Sequence, residues 1–223
     1  MSARDDILAT IRRSLAVGVN DRPRRDAVAA RLAATPIGIV PQRGQGDAAA
    51  RLATFRAEAE RVQATVAEVA AASEVPAEIA RDLRDNNLPP TIRFGDDPRL
   101  AALSWAETGL EIARGPSEGA DLNAVSAAFA GVAETGTLAL VSGPANPTTL
   151  NFLPDNHFVV LFADDLVADY EGVFAKLRAT YGAGALPRTV NFITGPSRSA
   201  DIEQTLLLGA HGPRRLHIVA VAR

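Results

Sequence analysis

Ala133-Glu134-Thr135-Gly136-Thr137-Leu138-Ala139-Leu140-Val141 is the stretch from which the fold of this 223-residue chain is read. Small, turn-forming polar residues stand directly beside an apolar run of β type, which is how a sheet displays chemistry at its edge. The same arrangement returns in Val190-Asn191-Phe192-Ile193-Thr194-Gly195-Pro196-Ser197-Arg198-Ser199-Ala200-Asp201, followed by the helical spacing of Ile202, Leu206 and Gly209. A strand, a glycine loop and a helix start together predict an anion cradle.

Outward from these two bends the chain alternates. Strands are expected over 125–130, 136–141, 157–162, 189–194 and 215–222. Val167, Tyr170, Phe174, Leu177 and Tyr181 share one helical face, and a further helix is expected over 200–210. Upstream, Leu52, Phe55, Ala59 and Val62 are spaced for a helix that runs into the alternation Val62, Ala64, Val66. Pro76 opens a helix ending at Asn86-Asn87, Thr91-Ile92-Arg93-Phe94 resumes the sheet, Asp97-Pro98 opens a short helix, and 110–113 is a strand. Strands alternating with helices favour a parallel sheet covered on both sides. Strands 125–130 and 136–141, joined by a short turn, should pair antiparallel. The expected fold is α/β, with a mixed, largely parallel sheet flanked by helices.

The N-terminal part reads differently. Ser2 and Asp5 have capping-box spacing, and Ile7, Leu8, Ile11 and Leu15 form one apolar stripe ending before Gly18. Residues 20–47 contain Pro23, Pro36, Pro41, Gly38, Gly44 and Gly46 with little periodicity, so they read as an irregular connection that wraps a surface or a partner. The expected organisation is an N-terminal amphipathic helix and irregular connection over 1–46, then an α/β domain over 47–223.

Composition narrows the chemistry. The chain has 47% hydrophobic residues and no cysteine, which removes disulfides, thiolate nucleophiles and any iron–sulfur cluster held by its own ligands. His157, His211 and His217 lack the close spacing of a zinc site, so no metal is expected. A net charge of −3 supplies no global positive field for nucleic acid. No apolar run approaches the roughly 20 residues of a membrane span. Met1-Ser2-Ala3-Arg4-Asp5-Asp6 lacks a signal-peptide apolar core, so the cytoplasm is the expected location. Lys176, the only lysine, falls in a helical pattern as a solvated flank.

Several side chains can carry function. Glu134, partly buried in its turn, can act as acid, base or nucleophile, or accept backbone N–H bonds and hold the turn. Ser199 is a suitable helix N-cap, with Asp201 and Glu203 in the first turn, and Arg198 can grip a carboxylate or phosphate. His211-Gly212-Pro213 suits a helix end, with His211 as a cap. His157 opens a strand beside Asn151, Pro154 and Asn156 and is a candidate site wall. The loop 142–154 offers neutral hydrogen bonds from Ser142, Thr148 and Asn151. No Gly-x-Ser-x-Gly elbow supports a serine hydrolase, and Gly44-Gln45-Gly46 and Gly182-Ala183-Gly184 lack the context of a dinucleotide fingerprint.

Four ordered motifs, Ala133-Glu134-Thr135-Gly136-Thr137-Leu138, then Asn151-Phe152-Leu153-Pro154 with His157, then Thr194 through Glu203, then His211-Gly212-Pro213, resemble the lactate-utilization protein C family, which carries the LUD domain. The resemblance implies a fold like the sugar-isomerase and CoA-transferase superfamily. It also implies work beside iron–sulfur and oxidoreductase-type subunits in converting L-lactate to pyruvate, this chain being the subunit without a cluster. In the related CoA transferases a glutamate is the nucleophile, and Glu134 takes that role by analogy.

Two functional readings stand side by side. In the first, the chain is a component of lactate oxidation that binds a partner subunit or a small carboxylate or CoA-type ligand. Its two bends, with Glu134, Thr135, Gly136, Thr137, Gly195, Ser197, Arg198 and Asp201, then line one cleft at the strand ends, with Arg198 meeting the anion. In the second, it is a self-sufficient transferase or isomerase using Glu134. A scaffold docking through Ile7, Ile11 and Leu15 is a third, and a homo-oligomer is left open.

Overall fold

The computed structural model describes residues 2–18, 20–199 and 207–222, and the chain divides into two compact units, Met1–Ile39 and Val40–Arg223. The first unit contains α1 (Ala3–Ser14) and α2 (Arg22–Ala34), with no buried residue in either helix. The Ser2–Asp5 capping box is present. Helix α2 occupies much of the stretch expected to be irregular, and the placement of its prolines explains why. Pro23 sits in the first turn, where its missing N–H costs nothing, and Asp21 caps it by accepting from the Arg24 N–H at 3.1 Å. Pro36 follows the C-cap Thr35, and the alanine- and arginine-rich interior has high helix propensity.

The second unit begins with α3 (Ala48–Arg61) and β1 (Thr65–Val69), then α4 (Val75–Asp85), β2 (Thr91–Phe94), α5 (Pro98–Ala101) and β3 (Glu111–Arg114). It continues with β4 (Asn123–Ala127), β5 (Ala130–Val132), β6 (Thr137–Val141), β7 (Asn156–Phe162), β8 (Leu166–Val167) and α6 (Tyr170–Tyr181). The remaining elements are β9 (Val190–Ile193), β10 (Arg198–Ser199), β11 (Leu207–Leu208) and β12 (Arg215–Val221). A six-stranded parallel sheet has the order β1-β12-β7-β4-β2-β3, and a four-stranded mixed sheet has the order β8-β5-β6-β9. Among the described residues no helix is long and apolar enough to cross a membrane.

Alternation along the central strands builds the layers. Phe158 and Val160 of β7, with Val219 and Val221 of β12, pack on Ile79 and Leu83 of α4. Val159 and Leu161, with Leu216 and Ile218, face the other way onto Phe55 and Ala59 of α3 and Leu138 and Leu140 of β6. The far face of the second sheet, through Ala130, Val132 and Ala139, is covered by Val173 and Leu177 of α6. Both faces of the sheet are thus buried at its central strands β7 and β12, which is why these read as largely apolar.

The expected single strand over 125–130 is two strands. At Ala128 the N–H still donates to the Val160 carbonyl at 2.8 Å, whereas the Phe129 N–H donates to Ala139 at 2.9 Å, so the chain changes sheets at this step. Small residues permit it: a Cβ on Gly131 would lie 2.7 Å from the Leu161 side chain. The antiparallel pair is therefore β5 with β6. The helix expected over 200–210 also differs at its described parts. Ser199 pairs with Leu207 and Arg198 with Leu208 in an antiparallel ribbon, so residues 207–208 are extended and His211 does not cap a helix, while the N-cap expected at Ser199 depends on residues outside the described ones. Residues 200–206, with Asp201, lie outside the described residues. Lys176 is an ion-paired residue rather than a solvated flank: it meets Asp165 and stands 4.9 Å from the Phe129 ring centroid.

Candidate functional site

A cavity of about 240 Å³ opens at the amino ends of β7 and β12. Of the side chains and turns expected to form a site, it brings together Asn151, His157, Gly195, Ser197, Arg198 and His211, with Thr194, Phe152, Phe192, Pro213 and Leu216 completing much of the wall.

Its floor is a buried polar network. Asn151 is 0% exposed and His157 1%. Both meet the hydroxyl of Ser126, His157 through Nε2 at 3.0 Å and Asn151 through Oδ1 at 3.4 Å. Ser126 also reaches Asn146 Oδ1 at 2.9 Å, and Asn146 is oriented by its Nδ2 donating to the Val141 carbonyl at 3.3 Å. The Ser126 proton therefore goes to an amide oxygen, so His157 Nε2 must be the donor to Ser126 Oγ, and Nδ1 is left a bare acceptor. Burial pushes the His157 pKa down to about 3, which makes the ring neutral at physiological pH. His157 Nδ1 and Asn151 Nδ2 are buried with no hydrogen-bond partner among the described residues.

The rim is a stitched loop. The Ser197 N–H donates to the Pro213 carbonyl at 2.8 Å, its carbonyl accepts from Gly209 at 3.0 Å, and its hydroxyl accepts from the His211 N–H at 3.3 Å. Arg198 is exposed and one Nη2–H donates to the Val62 carbonyl at 3.2 Å, just past the end of α3. Among the described residues its guanidinium pairs with no carboxylate, and most of its five donors stay available.

The two glycine bends do meet, though by a route other than an anion cradle. Gly136 (φ +62°) and Gly195 (φ +78°) both press on the C-terminal end of α3. A Cβ at Gly136 would overlap the Ala59 nitrogen, and one at Gly195 would lie 2.6 Å from the Val62 carbonyl oxygen. Thr137 is fully buried and joins the bends, its hydroxyl lying 2.6 Å from Thr194, 2.8 Å from Thr135 and 3.2 Å from the Tyr170 hydroxyl. Thr135, Gly136 and Thr137 thus support the cavity from behind and are not on its wall.

Glu134 is buried elsewhere. Its backbone N–H donates to Ala168 at 3.1 Å, and Gly44 lies so close that a Cβ there would be 2.9 Å from the Glu134 Cβ. It is not among the residues lining the cavity over His157. Ser142 is also apart: its hydroxyl accepts from the Thr189 N–H at 2.9 Å and it borders a different cavity with Arg99 and Tyr181. A further cavity of about 430 Å³ lies at the carboxyl ends of β7 and β12, beside Arg51 and Leu52 of α3. Parallel α/β sheets commonly bind ligands at that edge, yet none of the expected site residues among the described ones lines it. Ser126 and Asn146 were the members missed from sequence. A serine between Val125 and Ala127 in a fully buried strand was the available signal, since a buried hydroxyl needs a partner.

A family model described as the LUD domain matches residues 52–221. The chain is similar to lactate utilization protein C of Halalkalibacterium halodurans, 35% identical over 52% of this chain and 51% of that protein. It is 37% identical to lactate utilization protein C of Shouchella clausii over 40% of this chain and 39% of that one. An uncharacterized protein of Neisseria meningitidis serogroup B is 38% identical over 43% of this chain and 40% of its own length. The chain spans about half the length of these curated relatives or less. Among solved structures, a DUF162 family protein from Deinococcus radiodurans shares the fold with a TM-score of 0.58 at 21% identity, covering 80% of this chain and 100% of that one.

Proposed function

The chain belongs to the LUD domain family, and from that membership we propose that it serves in lactate utilization, as a component that takes a small carboxylate into the cavity over His157. In this reading the iron–sulfur clusters of lactate oxidation reside on separate cytoplasmic subunits with which this cysteine-free chain assembles. Relatives named lactate utilization protein C support the pathway.

The observation that carries the ligand reading is the pairing of an exposed guanidinium at the rim with a fully buried polar floor. Arg198 has donors to offer a carboxylate, in the fork geometry that suits two oxygens. The exposed rings of Phe152 and Phe192 at the mouth supply apolar contact for the rest of a small molecule. Neutral His157 adds no charge, so the carboxylate belongs at the rim and the uncharged end at the floor.

Calorimetric titration with L-lactate, pyruvate and a larger 2-substituted propionate tests this directly. Binding that weakens at least about tenfold in Arg198→Ala is expected, the loss typical of a charged hydrogen-bond donor. Absence of binding by every acid would overturn the ligand reading. Copurification of cluster-bearing proteins from lactate-grown cells tests the assembly separately.

A further inference from the structure

We propose that the cavity over His157 selects a short acid carrying a ring-sized apolar substituent, an aryl-substituted acid of the phenyllactate type, over L-lactate itself. The inference rests on the carboxylate reading above and specifies the size and character of the group that accompanies the carboxylate.

Volume is the first observation. An apolar protein cavity of about 150 Å³ takes one benzene molecule, and this cavity measures about 240 Å³. A benzene-sized group therefore fits and leaves roughly 90 Å³ for the acid that bears it. L-lactate offers a methyl group in place of that ring. It leaves much of the apolar wall in water and forgoes the burial that drives affinity.

The character of the wall is the second. Phe152 and Phe192 both line the cavity and keep 40% and 38% of their surface accessible, so each ring has surface to give a ligand. Phe192 is braced by two further rings, its centroid lying 5.3 Å from that of Tyr170 and 6.2 Å from that of Phe174. Ile193, the next residue of β9, adds aliphatic surface. Among the described residues of the wall, Arg198 is the only one with a permanent charge. One carboxylate on an otherwise apolar body matches that balance.

Gly212 holds the wall open. It lines the cavity, and a Cβ there would meet the Ser197 Cβ at 3.5 Å and the Phe152 ring at 3.6 Å, both ordinary contact distances. The absence of a side chain at 212 thus leaves a gap between two residues of the wall. Gly212 is not among the left-handed glycines, so the backbone does not demand glycine at this position. Its smallness serves the space, and Gly212 is a specificity-determining residue.

Calorimetry on the full chain with L-lactate and L-3-phenyllactate tests the preference, and the ratio of the two affinities is read within each variant. The parent should bind phenyllactate at least about tenfold tighter, with a more negative heat-capacity change. Gly212→Val, which fills the gap, and Phe192→Ala, which removes one ring of the wall, should each lower that ratio at least about threefold. Equal or weaker binding of phenyllactate by the parent overturns this inference and leaves the carboxylate reading standing. A ratio that either folded variant leaves intact does the same, because it puts the ring outside this cavity. If neither acid binds, both fall.

Discussion

The hydroxyl oxygens of Thr137 and Thr194 lie 2.6 Å apart although 57 positions separate them in the chain. One belongs to the first glycine bend and the other to the second, and antiparallel pairing of β6 with β9, Leu138 opposite Ile193, brings them together. The contact turns two chain-distant turns into one support for the cavity wall. Thr137→Val should cost about 1–3 kcal/mol, because Thr135, Thr194 and Tyr170 lose a buried partner. Thr194→Val should cost less, and the double variant should fall short of the sum. Urea unfolding of the four-member cycle measures the coupling; strict additivity would mean the hydroxyls act independently.

Gly136→Ala and Gly195→Ala should each destabilise by about 2 kcal/mol or more, since both backbones are left-handed and both Cβ positions collide with the end of α3. Gly143→Ala is the control. Nothing lies within 4 Å of its Cβ position, so its change should stay within about 0.5 kcal/mol. Thermal unfolding of the three variants would expose a misplaced bend if Gly143→Ala were the most damaging.

Acid should weaken the fold through His157. Its folded pKa is lowered from 6.5 to about 3 by burial. Between those values the unfolded chain holds a proton that the folded chain refuses. The stability is fully present above about pH 6.5 and drains as pH falls toward 3, by up to about 1.4 kcal/mol per pH unit. His217 is also shifted down, chiefly by burial, and acts with the same sign. His157→Asn should therefore show a shallower acid loss than the parent in urea unfolding followed from neutral pH downward. Parallel slopes would remove His157 as a source.

Arg215 donates to both oxygens of Asp82 at 2.6 Å, tying the start of β12 to α4, and Asp82 is buried. Removing the acid in Asp82→Ala strands a half-buried guanidinium, a loss of about 3 kcal/mol. Asp82→Leu with Arg215→Met, which removes both charges, should recover much of it. A chemical denaturation series separates these outcomes.

Glu134→Gln should leave small-carboxylate affinity at the His157 cavity unaltered, because Glu134 is not on that wall. Arg51→Ala should do the same, as Arg51 borders the cavity at the opposite ends of β7 and β12. Calorimetry on the two variants checks this. A large loss in Arg51→Ala would move the ligand to the carboxyl edge of the sheet.

Much of the architecture was legible because periodicity is local. Helix α3 shows its buried Phe55 and Ala59 one turn apart, and β7 and β12 show the apolar runs 158–162 and 218–221. Residues 125–130 misled because a strand that passes from one sheet to another keeps the same apolar composition throughout; only the change of hydrogen-bond partner at Phe129 marks the step. The prolines near α2 misled because proline breaks a helix interior but suits its first turn.

Residue types and their spacing were sufficient to establish an α/β chain and the two glycine bends, and to single out His157, Asn151, Ser197 and Arg198, which line one cavity, since backbone conformation and side-chain chemistry are encoded nearby in the chain. Which of these share a cavity was a matter of folding. Thr137 supports the wall while Glu134, three residues earlier, is turned under Gly44. The state of His157 is likewise collective: burial by the surrounding strands keeps it neutral, and Asn146, through Ser126, selects the nitrogen that carries the proton. Proximity across a folded sheet has no local signature, because it depends on the register of strands that are remote from one another in the chain.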